Sequence, residues 1–408
     1  MVTGTAGARP GPQPGVDLAA LVSAERGAGA VAFLGAEADR VARLCHAMAQ
    51  RFAAGGRLLA LGHTPSARSD AHHVAVEFVH PVIVGKRALP ALALTGTTGP
   101  LVDELASYLR REDMVMGFEA HADGGEVGGA MASGRDHGAL TIGFGGAGAE
   151  WELDPGGEHA YVAQEVVETL YHVLWELVHV FFEHRGLLGG PSRVGLHDAG
   201  ASSFLYPFLE DGEHNLSEVL EDVSRSALMK AQEIAALRRQ TLEDNAEVVA
   251  GAAVALRECF AAGGKLLALG NGGSATDAMD VAADFSARCG GGGRGWPALD
   301  LTGDAAVLTA IANDIGPEAI FARQVIALGE AGDFVLALST SGNSANVIEA
   351  LAEARRRGLM TVAMVGYDGG RIGSEGLADH VIITRSEHIP RIQEAQASAY
   401  HALRALVG

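Results

Sequence analysis

Two stretches of this chain carry the residue types that hold a phosphate. Leu266-Leu267-Ala268-Leu269-Gly270-Asn271-Gly272-Gly273-Ser274 is a short apolar run that ends in glycines and a hydroxyl, and Asp277–Phe285 behind it has helical spacing. A strand, a glycine turn and a helix N-terminus make an anion site, because the backbone approaches closely, free N–H groups point outward and the helix dipole favours negative charge. A plain tight strand–helix connection would use the same glycines. The second stretch, Ser339-Thr340-Ser341-Gly342-Asn343-Ser344, follows the strand-like Phe334–Leu338 and precedes the helical Asn346–Arg357. Four hydroxyls there can donate to several phosphate oxygens, at the sheet edge where open α/β folds bind ligands. A serine N-cap alone needs fewer. A third feature is His73 and Glu77, four apart in Asp70-Ala71-His72-His73-Val74-Ala75-Val76-Glu77-Phe78. On a helix they share a face and can share a metal; a buried histidine with an acid partner is the alternative.

The elements that must position these residues occur twice. Phe52-Ala53-Ala54-Gly55-Gly56-Arg57-Leu58-Leu59-Ala60-Leu61-Gly62 matches Phe260–Gly270 with only Arg57 against Lys265 different, and Pro90–Gly96 recurs as Pro297–Gly303. Two blocks in register predict a duplicated domain. Each copy opens on helical sequence, Asp17–Phe52 and Leu216–Phe260, and then alternates strands with helices. In the second copy Ala298–Thr302, Asp333–Ser339, Thr361–Val365 and His380–Thr384 read as buried strands. The fold class expected is α/β: two tandem doubly wound, flavodoxin-like parallel-sheet sandwiches with N-terminal helices. The boundaries expected are a disordered tail at 1–15, a first copy at 16–185, a linker at 186–215 and a second copy at 216–408. Phe204–Leu209 is too apolar for a free tether and is expected to pack on a domain.

Composition narrows the function classes. A net charge of −20 without a Lys/Arg-rich patch argues against nucleic acid as the partner. A local helix N-terminus still allows an anionic ligand. Cys45, Cys259 and Cys289 form no CxxC, which fits a reduced, cytoplasmic protein. The Gly/Pro/Thr-rich start lacks the apolar core of a signal peptide. Tyr171–Phe182 is interrupted by His172, Glu176 and His179, so a buried or amphipathic helix is expected there, and no membrane span.

Gly270–Ser274, Ser339–Ser344 and Arg391-Ile392-Gln393-Glu394 together resemble the sugar isomerase (SIS) domain, and Leu216–Gly408 is similar to the bacterial phosphoheptose isomerases. The resemblance implies an aldose–ketose isomerase acting on a sugar phosphate, sedoheptulose 7-phosphate being interconverted with glycero-manno-heptose 7-phosphate. It implies that Asn271, Gly272, Gly273, Ser274, Ser339, Thr340, Ser341 and Ser344 bind the phosphosugar, with Asp304 near the sugar. It also implies zinc, held by a His and a Glu four apart and by a Gln and a His eight apart near the end of the domain. The first copy keeps this set as His73, Glu77, Gln164 and His172, but its turn is Gly62-His63-Thr64-Pro65-Ser66 and its later loop, Glu119–Gly124, carries acids. The second copy keeps the phosphate motifs but has Asp280, Asp284, Gln393 and His401, a harder and weaker set for zinc.

The copies therefore look complementary. Residues eight apart on a straight helix are separated by about 12 Å along its axis. Either Gln164 precedes the regular helix, or Gln164 and His172 serve different sites across a domain interface. The expectation is a fused pseudo-dimer with composite sites, at least one joining first-copy metal ligands to second-copy phosphate donors. Isomerisation moves a proton between C1 and C2, with Glu77 as base and His172 as acid partner, Asp284 and His401 being their second-copy equivalents. The family's assembly implies a homodimer of tandem chains, a pseudo-tetramer. The rival class is a non-catalytic phosphosugar-binding or protein-interaction module. A glutamine-dependent aminotransferase would need an N-terminal nucleophilic cysteine, and Val2 follows Met1. A SIS-type transcription regulator would need a basic helix-turn-helix, and none is visible.

Overall fold

The structure is a computed structural model. It describes residues 25–82, 86–97, 99–118, 125–156, 159–184, 187–188, 215–287 and 295–408. The tail at 1–15, nearly all of the linker, Phe204–Leu209, Glu119–Gly124 and Cys289 lie outside the described residues.

The first half runs α1 (Glu25–Ala53), β1 (Leu58–Gly62), α2 (Pro65–Val79), β2 (Ala91–Leu94), α3 (Leu101–Tyr108), β3 (Met114–Phe118), α4 (Glu126–Asp136), β4 (Leu140–Phe144), β5 (Trp151–Glu152) and α5 (Ala160–Glu183). The second runs α6 (Leu216–Asp244), α7 (Ala246–Ala261), β6 (Leu266–Leu269), α8 (Gly273–Ser286), β7 (Ala298–Asp300), α9 (Ala305–Asp314), α10 (Ile320–Leu328), β8 (Phe334–Ser339), α11 (Ala345–Arg356), β9 (Met360–Gly366), α12 (Gly370–Ser374), β10 (His380–Thr384) and α13 (Ile389–Val407).

Each half holds one five-stranded sheet, β2-β1-β3-β4-β5 and β10-β9-β8-β6-β7. All pairings are parallel, with Leu58 beside Ala91 and Leu266 beside Ala298 at equivalent places. Numbered within its own half, each sheet has the flavodoxin-like order 2-1-3-4-5. Every residue of β1 and β6 is buried, as strands covered on both faces require. The one difference in the repeated block is chemically silent. Asp113 accepts from the Arg57 backbone N–H (2.9 Å) and guanidinium (2.7 Å), and Asp333 accepts from the Lys265 N–H (2.9 Å) and ammonium (2.6 Å).

The helical stretch Leu216–Phe260 is two helices, not one. Asn245 breaks it: its amide donates to the Ile383 carbonyl (3.0 Å) and its oxygen accepts from the Ile383 N–H (2.9 Å), which ties the break to β10. The N-terminal part of α6 inserts Val219, Val223, Ala227 and Ala231 into the core built by α1, α2 and α5. The two halves therefore share a core. At their junction α2 packs on α8, and α13 packs on α5 and α6. The helix that carries Tyr171–Phe182 is buried, and each polar interruption has a partner. His172 meets Glu394, Glu176 meets Arg391 and Lys230, and His179 bridges the carbonyls of Trp175 and Arg87.

Candidate active site at the junction of the two halves

α2 starts directly after β1, with Thr64 capping the Ala67 N–H and Pro65 in its first turn. Helical spacing then turns His73 and Glu77 inward together, where both are 2% exposed. α5 supplies His172 and α13 supplies Gln393. His73 Nε2 lies 3.3 Å from His172 Nε2, 3.3 Å from the Gln393 amide and 4.0 Å from Glu77 Oε1. His172 Nδ1 donates to Glu394 Oε1 (3.0 Å), which leaves its Nε2 as a lone pair aimed at His73. His73 Nδ1 sits 3.2 Å from the Tyr171 hydroxyl. Burial, with the neighbouring His172, holds the His73 imidazole well below its ordinary pKa and so neutral. Burial pushes the Glu77 carboxyl up to about 7, with Glu176 adding to the effect against the opposing His172. Glu77 Oε2 and Gln393 Oε1 are buried without a hydrogen-bond partner. Two facing imidazole nitrogens beside an unpartnered carboxylate oxygen are a donor set that fits zinc.

Three of these four groups come from the first half and Gln393 from the second. The converse holds for Gln164. It lies inside the regular part of α5, so of the two alternatives left by helix geometry the second is realised. Gln164 Nε2 donates to Asp280 Oδ2 across the junction (2.9 Å). The supporting carboxylates cross as well. Glu394 accepts from His172 and from Thr169 Oγ1 (3.0 Å), while Glu165 accepts from His401 Nδ1 (2.9 Å) and Ser398 Oγ (2.6 Å). Arg391 clamps Glu394 and donates to Glu176 (2.9 Å). Sequence reasoning missed Glu165, Glu394, Glu176 and Tyr171. The repeated Gln-Glu pair, 164–165 and 393–394, was the available signal for the first two.

At the second centre His401 Nε2 lies 3.7 Å from Asp280 Oδ2 and 3.5 Å from Asp284 Oδ2. Burial opposes a charge on His401, but the neighbouring Asp280 and the hydrogen bond to Glu165 outweigh it and raise the group to about 9. Burial, then the Asp280 charge, pushes Asp284 up to about 7. Between the two centres Asp277 and Glu168 are buried carboxyls held well above the usual carboxylate range, chiefly by desolvation. Neither was anticipated as a site neighbour.

The glycine turn of the second half leans onto the first centre. Gly272, at the N-cap of α8, has φ +58°, which glycine adopts without strain. A Cβ on Gly273 would fall on the Gln393 amide nitrogen and 2.9 Å from His73 Nε2. Ser344 occupies the N-cap position of α11 but makes no side-chain cap; its hydroxyl lies 3.2 Å from that of Ser339. Asn271 and Asn346 exchange amide hydrogen bonds (2.9 and 2.8 Å) and latch the two loops together. Ser341 Oγ accepts from the Asn343 N–H (3.2 Å), the Thr340 carbonyl accepts from Gly366 (3.0 Å), and Ser274 is buried at the start of α8. Asp304 is exposed and caps α9 by accepting from the N–H groups of Ala306 and Val307. In the first half the matching turn has Pro65, which lacks an N–H, and Thr64, whose hydroxyl is spent on capping.

A family model described as the SIS domain matches residues 231–366. The phosphoheptose isomerase of Roseiflexus sp. (strain RS-1) is 44% identical over 174 residues, which is 42% of this chain and 86% of that protein. The one from Geobacter sulfurreducens is 43% identical over 189 residues, 46% of this chain and 97% of that protein. Two solved structures run nearly the whole length of the chain and share its fold. The C-terminal domain of glucosamine-fructose-6-phosphate aminotransferase from Francisella tularensis covers 94% of this chain and 92% of its own, with a TM-score of 0.60 and 9% identity. Tagatose-6-phosphate ketose/aldose isomerase from Escherichia coli covers 98% and 95%, with a TM-score of 0.53 and 12% identity. By its relatives and its two parallel sheets, the chain belongs to the SIS domain family.

Proposed function

We propose that this chain is an aldose–ketose isomerase of a sugar phosphate, with sedoheptulose 7-phosphate as its substrate, working at the composite centre His73–Glu77–His172–Gln393. The observation that carries this reading is the seating of Gly273 against His73 and Gln393. Gly273 lies in the glycine turn of the second copy (216–408) and His73 in the first (16–185), which supports a site shared between phosphate motifs of the one and metal ligands of the other. Relatives 42–46% identical over nearly their whole length are phosphoheptose isomerases. No helix among the described residues is long and apolar enough to cross a membrane.

In this reading Asn271, Gly272, Gly273, Ser274, Ser339, Thr340, Ser341 and Ser344 hold the phosphate end, and fixing it there orients the open-chain sugar toward the histidines. His73, Glu77, His172 and Gln393 would hold zinc, which when bound would act as a Lewis acid on the sugar carbonyl. Glu77 turns Oε1 toward His73 and leaves Oε2 free to take the proton from carbon. His172, held by Glu394, moves the proton between the two sugar oxygens. Asp284 and His401 occupy the equivalent places at the second centre. The chains pair as homodimers. The test is metal analysis of the purified protein alongside conversion of sedoheptulose 7-phosphate followed by NMR. Absence of both metal and turnover, with sugar phosphate still bound, would establish the binding-module alternative instead.

A further inference from the structure

We infer that the second centre, Asp280–Asp284–His401–Gln164, is closed to metal, so that each chain carries one metal-binding centre and one vestigial one. The difference lies in what the lone pairs face. At the first centre two imidazole Nε2 atoms face each other, and Glu77 Oε2 and Gln393 Oε1 have no partner; at the second, His401 Nε2 and Asp284 Oδ2 likewise lack one, so the contrast rests on Asp280. At the second, Asp280 Oδ2 already accepts from Gln164 Nε2 (2.9 Å) and Tyr400 Oη (3.0 Å). Two donors exhaust the lone pairs of one carboxylate oxygen. Its Oδ1 is 3.2 Å from the Ser69 hydroxyl, which is 2.6 Å from the Ser66 carbonyl, so the first-half turn is laced to Asp280. The Tyr161 ring lies over His401 at 4.6 Å between centroids and 19° between planes, and fills the space beside it. Replacing an imidazole by a second carboxylate also makes the donor set harder.

The crossed construction gives this a wider meaning. The second copy has Asp280 where the resemblance implies a histidine ligand, and the first copy has Thr64 and Pro65 where it implies a glycine turn. Ser69 joins that turn to Asp280, so both departures fall on the same centre and the other keeps both halves of its equipment.

Titration of the metal-free native chain with zinc, read by competition with a chromophoric chelator, counts the centres. One equivalent is expected, abolished by His73→Ala and retained by Asp280→Asn. Cobalt(II) titration of the native chain, followed by its visible absorption, should break at one equivalent and needs no variant. Two equivalents, or one that survives His73→Ala and disappears in Asp280→Asn, would overturn the inference. No binding at all would remove the isomerase reading above while leaving the second centre closed, so the two failures are distinguishable.

Discussion

Gly273→Ala tests the crossed architecture most directly. A methyl group there would fall on the Gln393 amide nitrogen, 3.1 Å from Gln393 Cδ and 2.9 Å from His73 Nε2, where ordinary contact begins at 3.4 Å. His73 would have to retreat by about 0.5 Å and Gln393 by more than an ångström. Both are buried among fixed partners, so the strain should cost about 1–3 kcal/mol of stability. A displacement of that size at a reacting centre lowers turnover by about 100-fold. Thermal unfolding, zinc affinity by chelator competition and kcat would be measured on the same preparation. A Gly273→Ala protein with unchanged unfolding, zinc affinity and turnover would show that the second-copy turn does not bear on the first-copy ligands. Gly129→Ala is the control: a Cβ on this exposed glycine in α4 meets open space, so stability should rise by about 0.4–1 kcal/mol with activity unchanged.

Other outcomes follow from the crossed carboxylates. Glu394→Ala removes an acceptor of Arg391, Thr169 and His172 that is fully buried. It should destabilise the chain by about 3 kcal/mol in denaturant titration and weaken zinc binding by about 10-fold or more as His172 loses its orientation. Glu176 is held near 2 because Lys230 and Arg391 outweigh its burial. A carboxyl depressed in the folded state stabilises above its unfolded pKa and loses that contribution as pH falls. Unfolding free energy should therefore drop between about pH 4.5 and 2, by about 3 kcal/mol for this group. Glu176→Gln should flatten that part of the profile, and an unchanged acid limb would refute the assignment.

Much of the fold was legible because it depends on local pattern repeated twice. The matched blocks at Phe52 and Phe260 announced two copies, and continuous apolar strands between amphipathic helices announced covered parallel sheets. The break at Asn245 was not legible, because it is made by a hydrogen-bond pair to Ile383, 138 residues away. That His73 and Glu77 face one place could be read from their spacing on α2. Which copy supplies the glutamine could not, since that is decided by how α5 and α13 pack. Helix geometry alone excluded the simplest arrangement.

The crossed partners also bear on how such a chain can change. In a symmetric dimer of identical chains every substitution enters both sites at once, because the same surface is used twice. A lost ligand would then silence the whole assembly. Joining the two copies in one polypeptide makes the sites separately mutable. One can drift while the other is held to its task, and the drifted one remains tied in as architecture, since Glu165 and Gln164 still anchor the partner half.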